Sequence, residues 1–418
     1  MKGTRGKNRS PHMRLQCVQA ASSYGRKESI IFLAHLIAAL VARAPAWADD
    51  NDEVTGDKAL RLTQQAIVFD AHCDTVLKVE EGLDLGKRNT VGHIDIPRMR
   101  AGGLDIQLFA LWPDPDDELG APARTLQLWS VLMYELDKHP ELEFVTTAAQ
   151  ARQAISRGHL AAFIGIEGGS AIAGRLELLR AYHRIGVRLM TLTWMKNTSW
   201  ADAAGDEPAH HGLTELGRKI VREMNRLGMV VDVSHVSDET FFDVLEVSEK
   251  PVVASHSGAR AICPHFRNLS DEMLRAISKN GGVVGVNYFV GFLDPEAARI
   301  SKDYWNRLEK LWKRYHDKPD EYRKLSEPIR KKYRRRLPRV TVAKLADHID
   351  HIAKVAGIDH VGLGSDFDGI CCPPEGLEDA SRLPNLVREL LHRGYTEADI
   401  RKVLGENMLR VFEQAIGE

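Results

Sequence analysis

Eight short apolar runs punctuate the chain, at 67–71, 104–111, 161–166, 187–193, 229–234, 252–255, 283–288 and 361–365. They are rich in Val, Ile, Leu and Ala and nearly continuous in apolar character, the pattern of strands buried on both faces. Between them, apolar positions recur three and four apart, the period of amphipathic helices. The segment 213–227 is one such helix, with Thr214 placed to cap its start and Gly228 to end it; 340–356 and 396–416 read the same way. Strand and helix alternating eight times predicts a (β/α)8 TIM barrel, an α/β fold. Residues 291–339, between the seventh and eighth predicted strands, break the rhythm. Dense in Lys, Arg, Glu and Tyr and ending in the basic run 330–336, they read as a solvated, charged helical insertion.

The first 48 residues have a different texture. Eight Lys or Arg stand against one acid, Glu28, followed by an apolar stretch over 30–42 interrupted only by His35. Ala46-Trp47-Ala48 then precedes Asp49. A basic start, a short apolar core and an A-x-A-like end predict a cleavable export signal over 1–48, and so a periplasmic or secreted protein. The apolar stretch is too short to span a bilayer, which speaks against a stable membrane anchor. Residues 49–418 then make a single domain.

Composition narrows the function. The full chain carries a formal charge of −1, but residues 49–418 hold 49 basic and 57 acidic side chains, a net of −8. An acidic body does not draw in nucleic acid. Hydrophobic residues make up 44% and charged residues 28%, which excludes collagen-like and disordered classes. Beyond the signal lie Cys73, Cys263, Cys371 and Cys372; without C-x-x-C spacing they make no cysteine zinc site. Cys371 and Cys372 read as free or separately paired thiols, because a disulfide between neighbours is strained.

Chemistry-bearing residues gather at the C-terminal ends of the predicted strands, the face on which barrels build active sites. The first strand runs into Asp70-Ala71-His72-Cys73-Asp74, where His72 and Asp74 sit two apart and share one side of an extended chain. The third ends at Glu167-Gly168-Gly169, the fifth at Ser234-His235, the sixth at Ser255-His256 and the eighth at Ser365-Asp366-Phe367-Asp368. Imidazole with carboxylate suits zinc or a similar divalent ion. His72 and Asp74 hold one ion in this reading, His235 and His256 a second, and Glu167 bridges them. Two such ions, roughly 3.5–4 Å apart, would hold a hydroxide and polarise a carbonyl. Asp366 is left to move protons. No G-x-S-x-G elbow supports a serine hydrolase, and Cys73 points away from the two ligands that flank it. The remaining histidines read as packing or loop residues.

Ordered motifs over most of the chain carry a resemblance. They include 69–74, 164–169, Asp232-Val233-Ser234-His235, Ser255-His256-Ser257, Arg267-Asn268, 347–352, 364–369, 374–379 and 407–412. In these the chain resembles the membrane dipeptidase (renal dipeptidase) family of zinc peptidases. That resemblance implies a barrel with two Zn2+ per chain, hydrolysis of free dipeptides, a homodimer, and the ligand roles given above. It further implies that Asp366 passes a proton from the bridging hydroxide to the leaving amine. Arg267 matches the residue that binds the substrate carboxylate, where a guanidinium fork fits two oxygens. Where the family carries histidine, Thr191-Leu192-Thr193 is followed by Trp194, an indole that offers one N–H donor and a broad apolar face to substrate. Tyr288, beside Phe289, is shifted from the family's substrate-side tyrosine, and Cys263 matches a family disulfide position without its partner.

Two other readings stand beside a dipeptidase. One is a related metal-dependent amide or lactam hydrolase, or a tailoring enzyme on a peptide-derived metabolite, motivated by Trp194 and the insertion. The other is a non-catalytic metal or peptide binder, against which Asp366 argues.

Overall fold

Among the described residues, nine parallel strands form one sheet, and eight of them close on themselves. The structure is a computed structural model and describes residues 50–113, 120–315 and 318–417, so the predicted export signal lies outside the described residues. In chain order the strands are β1 (Phe69–Cys73), β2 (Ile106–Leu111), β3 (Leu142–Phe144), β4 (Leu160–Glu167), β5 (Val187–Thr191), β6 (Val230–Asp232), β7 (Val253–Ser257), β8 (Val283–Val286) and β9 (Val361–Leu363). Closure comes from β2 pairing directly with β4 in register from Ile106↔Ala161 to Leu111↔Ile166, while β1 pairs with both β2 and β9. The eight staves are the eight predicted strands. β3 is the addition: it pairs with Leu160–Ala162 at the start of β4, before β5 joins that edge at Ile164. Three residues with one buried position leave too short an apolar signature to read from sequence.

Apolar burial is divided between two layers. One cluster unites strand residues Phe69, Ile106, Leu108, Phe163, Leu189, Val230, Val253 and Val283 with Met408, Leu409 and Phe412 of the C-terminal helix Asn407–Ile416. Phe412 meets Phe69 and Phe163 edge-on, each at 5.0 Å. The other cluster fills the space between strands and surrounding helices. Each fully buried Leu or Phe of this kind contributes on the order of 1.5–3 kcal/mol.

Local signals explain the helices. Glu215–Leu227 begins where the Thr214 hydroxyl accepts from the Gly217 N–H and ends at Gly228, left-handed at φ 77°. The predicted helix over 396–416 runs unbroken from Glu397 to Ile416 but is locally widened. Glu397–Arg401 passes through a π-helical turn, Lys402–Glu406, before Asn407–Ile416. The cause is Gly405: a Cβ there would lie 2.3 Å from the Ile67 carbonyl oxygen, so only glycine permits the approach.

The segment 291–339 folds chiefly as two helices, Pro295–Tyr315 and Pro319–Arg334. They are joined by a stack of Tyr304 on Tyr333 at 4.1 Å and by a 2.6 Å bond between the Ser301 and Tyr333 hydroxyls. His348 anchors the entry to this segment. Its Nδ1 accepts from the Ala259 N–H and its Nε2 lies 3.0 Å from the Leu293 carbonyl, so a residue read as packing is a buried tie. Among the described residues no helix is long and apolar enough to cross a membrane.

Candidate metal centre

The residues named from the strand ends meet at one end of the barrel. Glu167, the last residue of β4, lies among three histidines. Its Oε1 is 3.0 Å from His235 Nε2 and 3.3 Å from His256 Nε2, while its Oε2 is 3.7 Å from His72 Nε2. The two oxygens of this carboxylate thus face different imidazoles. His72 is in turn 3.6 Å from Asp74 Oδ2, and ligand atoms of His72, Asp74 and Asp366 all fall within 4.8 Å of one another. His72, Glu167 and His256 make a second such group.

The backbone reaches this arrangement by departing from ideal strands. The β1–β2 ladder shifts register between Asp70 and Cys73, and the β7–β8 ladder between Ala254 and Ser257. Such irregularities re-aim side chains, here beside His72 and His256. Asp74 is not on extended chain as its spacing predicts; it stands at the N-terminal boundary of the helix Thr75–Glu80 at φ −101°, without a side-chain capping bond. The turn still brings it to His72. His235 and Asp366 adopt left-handed backbone, at φ 70° and 59°.

Supporting partners set the orientation of these groups. Asp232 accepts from the Thr191 and Ser255 hydroxyls, both at 2.6 Å, and from the Ser234 and Ser255 N–H groups. Since the Ser255 hydroxyl donates to Asp232, it accepts from His256 Nδ1–H at 2.8 Å. That leaves the Nε2 lone pair of His256 free to bind a metal. Asn287 donates through Nδ2 to Asp366 Oδ2 at 2.9 Å and fixes that carboxylate. Gly369 makes room: a Cβ there would stand 2.1 Å from Asp74 Oδ2 and 2.4 Å from Asp366 Oδ1. Asp232 and Gly369 stand in motifs quoted from the sequence but without a role, and Asn287 was not selected at all; glycine and asparagine after a strand are too common to signal a site. His93, read as packing, also serves here, accepting from the Asp368 N–H at 2.8 Å while its own N–H donates to Asp368 Oδ1.

Electrostatics follow from burying so many charges together. Burial raises Glu167, but His72, His235 and His256 overcome it and hold the carboxyl well below its usual range. Burial lowers His72, and Glu167 and Asp74 outweigh it, so its pKa stands well above normal. His235 falls to about 4 through burial and then the nearby Arg267. Asp366 is pushed well up, first by burial and then by Asp74 and Glu167, against the pull of His72.

The donor set fits divalent metal. Three imidazoles and three carboxylates converge, and both His72 ring nitrogens, Asp74 Oδ1 and His235 Nδ1 are buried without a hydrogen-bond partner. Each such atom costs roughly 1–3 kcal/mol unless something occupies its lone pair or proton. A bound cation resolves several at once.

Arg267 lies beside this centre. Its Nη2 donates to the His256 carbonyl at 3.2 Å, its Nε has no partner, and among the described residues no carboxylate lies within 4 Å of it. Burial lowers its pKa to about 10. Trp194 is half-buried, 6.1 Å from the His235 ring and 5.0 Å edge-on to Trp112, a residue the sequence reading did not select. Tyr288 directly follows Asn287, the residue that holds Asp366. It is fully buried, its ring packs on Phe367 at 5.5 Å, and its hydroxyl has no partner.

The comparisons agree with this geometry. A family model for membrane dipeptidase (Peptidase family M19) matches residues 56–417. The probable dipeptidase PvdM from Pseudomonas aeruginosa is similar in structure, with a TM-score of 0.74 and 26% identity over 87% of this chain and 99% of that one. The dipeptidase AC, a metallo peptidase, has a TM-score of 0.71 and 28% identity over 84% of this chain and 99% of the other. A metallo peptidase from Rhodobacter sphaeroides, liganded with a phosphinate mimic of the dipeptide L-Ala-D-Ala, has a TM-score of 0.69 and 28% identity over 84% of this chain and all of its own.

Proposed function

The chain belongs to the membrane dipeptidase family and is a metal-dependent dipeptidase, and from that premise we propose that it is a dinuclear zinc enzyme cleaving free dipeptides. The observation that carries the proposal is Glu167, whose two oxygens face different histidines. His72 and Asp74 would hold one ion and His235 and His256 the other, with Glu167 offering an oxygen to each. When bound, such ions polarise a carbonyl and activate water at neutral pH.

The protein's own groups do the rest. Arg267 receives the substrate's terminal carboxylate on its unpartnered edge, which limits the substrate to two residues. The phosphinate mimic held by the Rhodobacter relative supports a dipeptide here, with a D-residue accepted at the C-terminal position. Asp366 takes a proton from the attacking water at Oδ1 and returns it to the leaving amine, while Asn287 holds Oδ2 still. Trp194, with Trp112, lines the substrate side of His235. The indole pair also favours a second reading, hydrolysis of a different amide bond in a bulkier substrate. Residues 1–48 direct export in this proposal, which N-terminal sequencing of the exported protein checks.

The test combines metal analysis with an L,L- and L,D-dipeptide panel. Two zinc ions per chain with turnover are expected, and Glu167→Gln should bind less than one. Two ions with no dipeptide turnover would transfer the reading to another amide. Wild-type binding of a single ion would overturn the dinuclear centre.

A further inference from the structure

Beyond the metal centre, one pair of nucleophiles is not used by any step above. The Sγ atoms of Cys371 and Cys372 lie 2.8 Å apart, in hydrogen-bond contact, on the loop that leaves Asp366 and Asp368. Cys371 is partly exposed and Cys372 nearly buried. The loop is fastened just before the insertion begins: the Cys372 carbonyl accepts from the Val290 N–H. Cys371 also faces Tyr304, Arg330 and Arg334 from the two long insertion helices. The Cys372 thiol, then Tyr304 and the two guanidiniums, hold the Cys371 thiol below its usual range in spite of burial, whereas Cys372 is pushed up. The more exposed Cys371 sulfur is the one an external reagent can reach, and the buried Cys372 sulfur in contact with it is placed to resolve.

We propose that Cys371 and Cys372 form a reversible disulfide, a redox modification site at the joint between the Asp366 loop and the insertion. The oxidant is a low-molecular-weight disulfide. The Cys371 thiolate attacks one of its sulfurs and expels the other as a thiolate, which takes up a proton. Cys372 then gives up its own proton and attacks the Cys371 sulfur of the mixed disulfide, closing the Cys371–Cys372 bond and expelling the second small thiol. Two protein thiols are oxidised and one external disulfide is reduced to two thiols. Adjacent Cα atoms are held about 3.8 Å apart, below the usual 4.4–6.8 Å span of a disulfide. The bond is therefore strained and easily reduced, the property of labile rather than structural disulfides. Forming it draws the two Sγ atoms from 2.8 Å to about 2.05 Å and removes the Cys371 thiolate that faces Arg330 and Arg334, which weakens the loop's hold on the insertion.

The experiment exposes the folded full-length protein to oxidised glutathione and then to a maleimide tag, read by peptide mass spectrometry. Cys73 and Cys263 are buried and serve as internal controls. Reduced protein should be tagged at 371 and 372. Oxidised protein should carry neither tag, weigh two hydrogens less, and recover with dithiothreitol. Cys372→Ser should trap glutathione on residue 371, and Cys371→Ser should react at least tenfold more slowly. Trypsin should cut the 295–334 helices several-fold faster in the oxidised protein. Full tagging after oxidation, stable glutathione on the wild-type chain, or disulfide-linked dimers would each overturn the site. An intact disulfide with unchanged trypsin cleavage would overturn its coupling to the insertion.

Discussion

The barrel's metal end and the 291–339 insertion are both crowded with charge, yet they treat it in opposite ways. At the metal end, His72, Glu167, Asp232, His256 and Arg267 are each under 5% exposed, and Asp232 is held by four donors. On the insertion, Asp303 pairs with Arg307 at 3.2 Å and Arg336 at 3.4 Å, with every partner about half exposed to water. Burial makes the first set expensive to leave unpaired, so each member depends on the others. Solvent screens the second set, so its members are nearly independent. The lesson is that charge density alone does not mark a site; buried charge with fixed partners does.

Substitutions can break that contrast, and the largest effect belongs to the proton-moving group. Asp366→Asn keeps the Asn287 contact and the metal but should lower kcat roughly a thousandfold, with zinc content and Tm unchanged. Loss of zinc along with activity would make Asp366 a ligand instead. Next comes Asp232→Ala, which strands four buried donors and should destabilise by about 3–5 kcal/mol, read from urea unfolding. A change under about 1 kcal/mol would mean the buried network is no more cooperative than the insertion.

A pH effect sharpens the comparison at intermediate size. Burial raises Asp105 to about 7 while its carboxylate accepts from the Val68 N–H. The ionised form is disfavoured in the fold, so this group's contribution to stability is full below the unfolded value, about 4. It is lost as pH rises through about 7. Asp105→Asn retains the acceptor and should gain on the order of 1–3 kcal/mol at pH 8 and little at pH 4; equal Tm differences at both would refute the assignment. The smallest effect is expected on the insertion, where Arg336→Gln should shift stability by less than about 0.5 kcal/mol.

The same contrast explains what was legible in sequence. All eight staves stand out because strands buried on both faces are written in apolar runs, and the strand ends carry His72, Asp74, Glu167, His235, His256 and Asp366 in residue types that rarely sit buried without a role. What supports them was not legible. Asp232, Asn287 and Gly369 acquire meaning only when strands distant in sequence lie side by side, and the π-turn at Gly405 exists because the Ile67 carbonyl arrives from the other end of the chain. Arg267 was legible only through resemblance, since nothing local distinguishes it from a surface arginine.

Left-handed backbone at His235 and Asp366 has one further consequence, for heat. A non-glycine residue in that region stores about 1–2 kcal/mol, and only the closed barrel around it prevents relaxation. Warming should therefore release these two rim residues before the staves part, so that activity disappears at a lower temperature than ellipticity. Between those temperatures the molecule would be an intact barrel that no longer catalyses, and cooling should restore it without refolding.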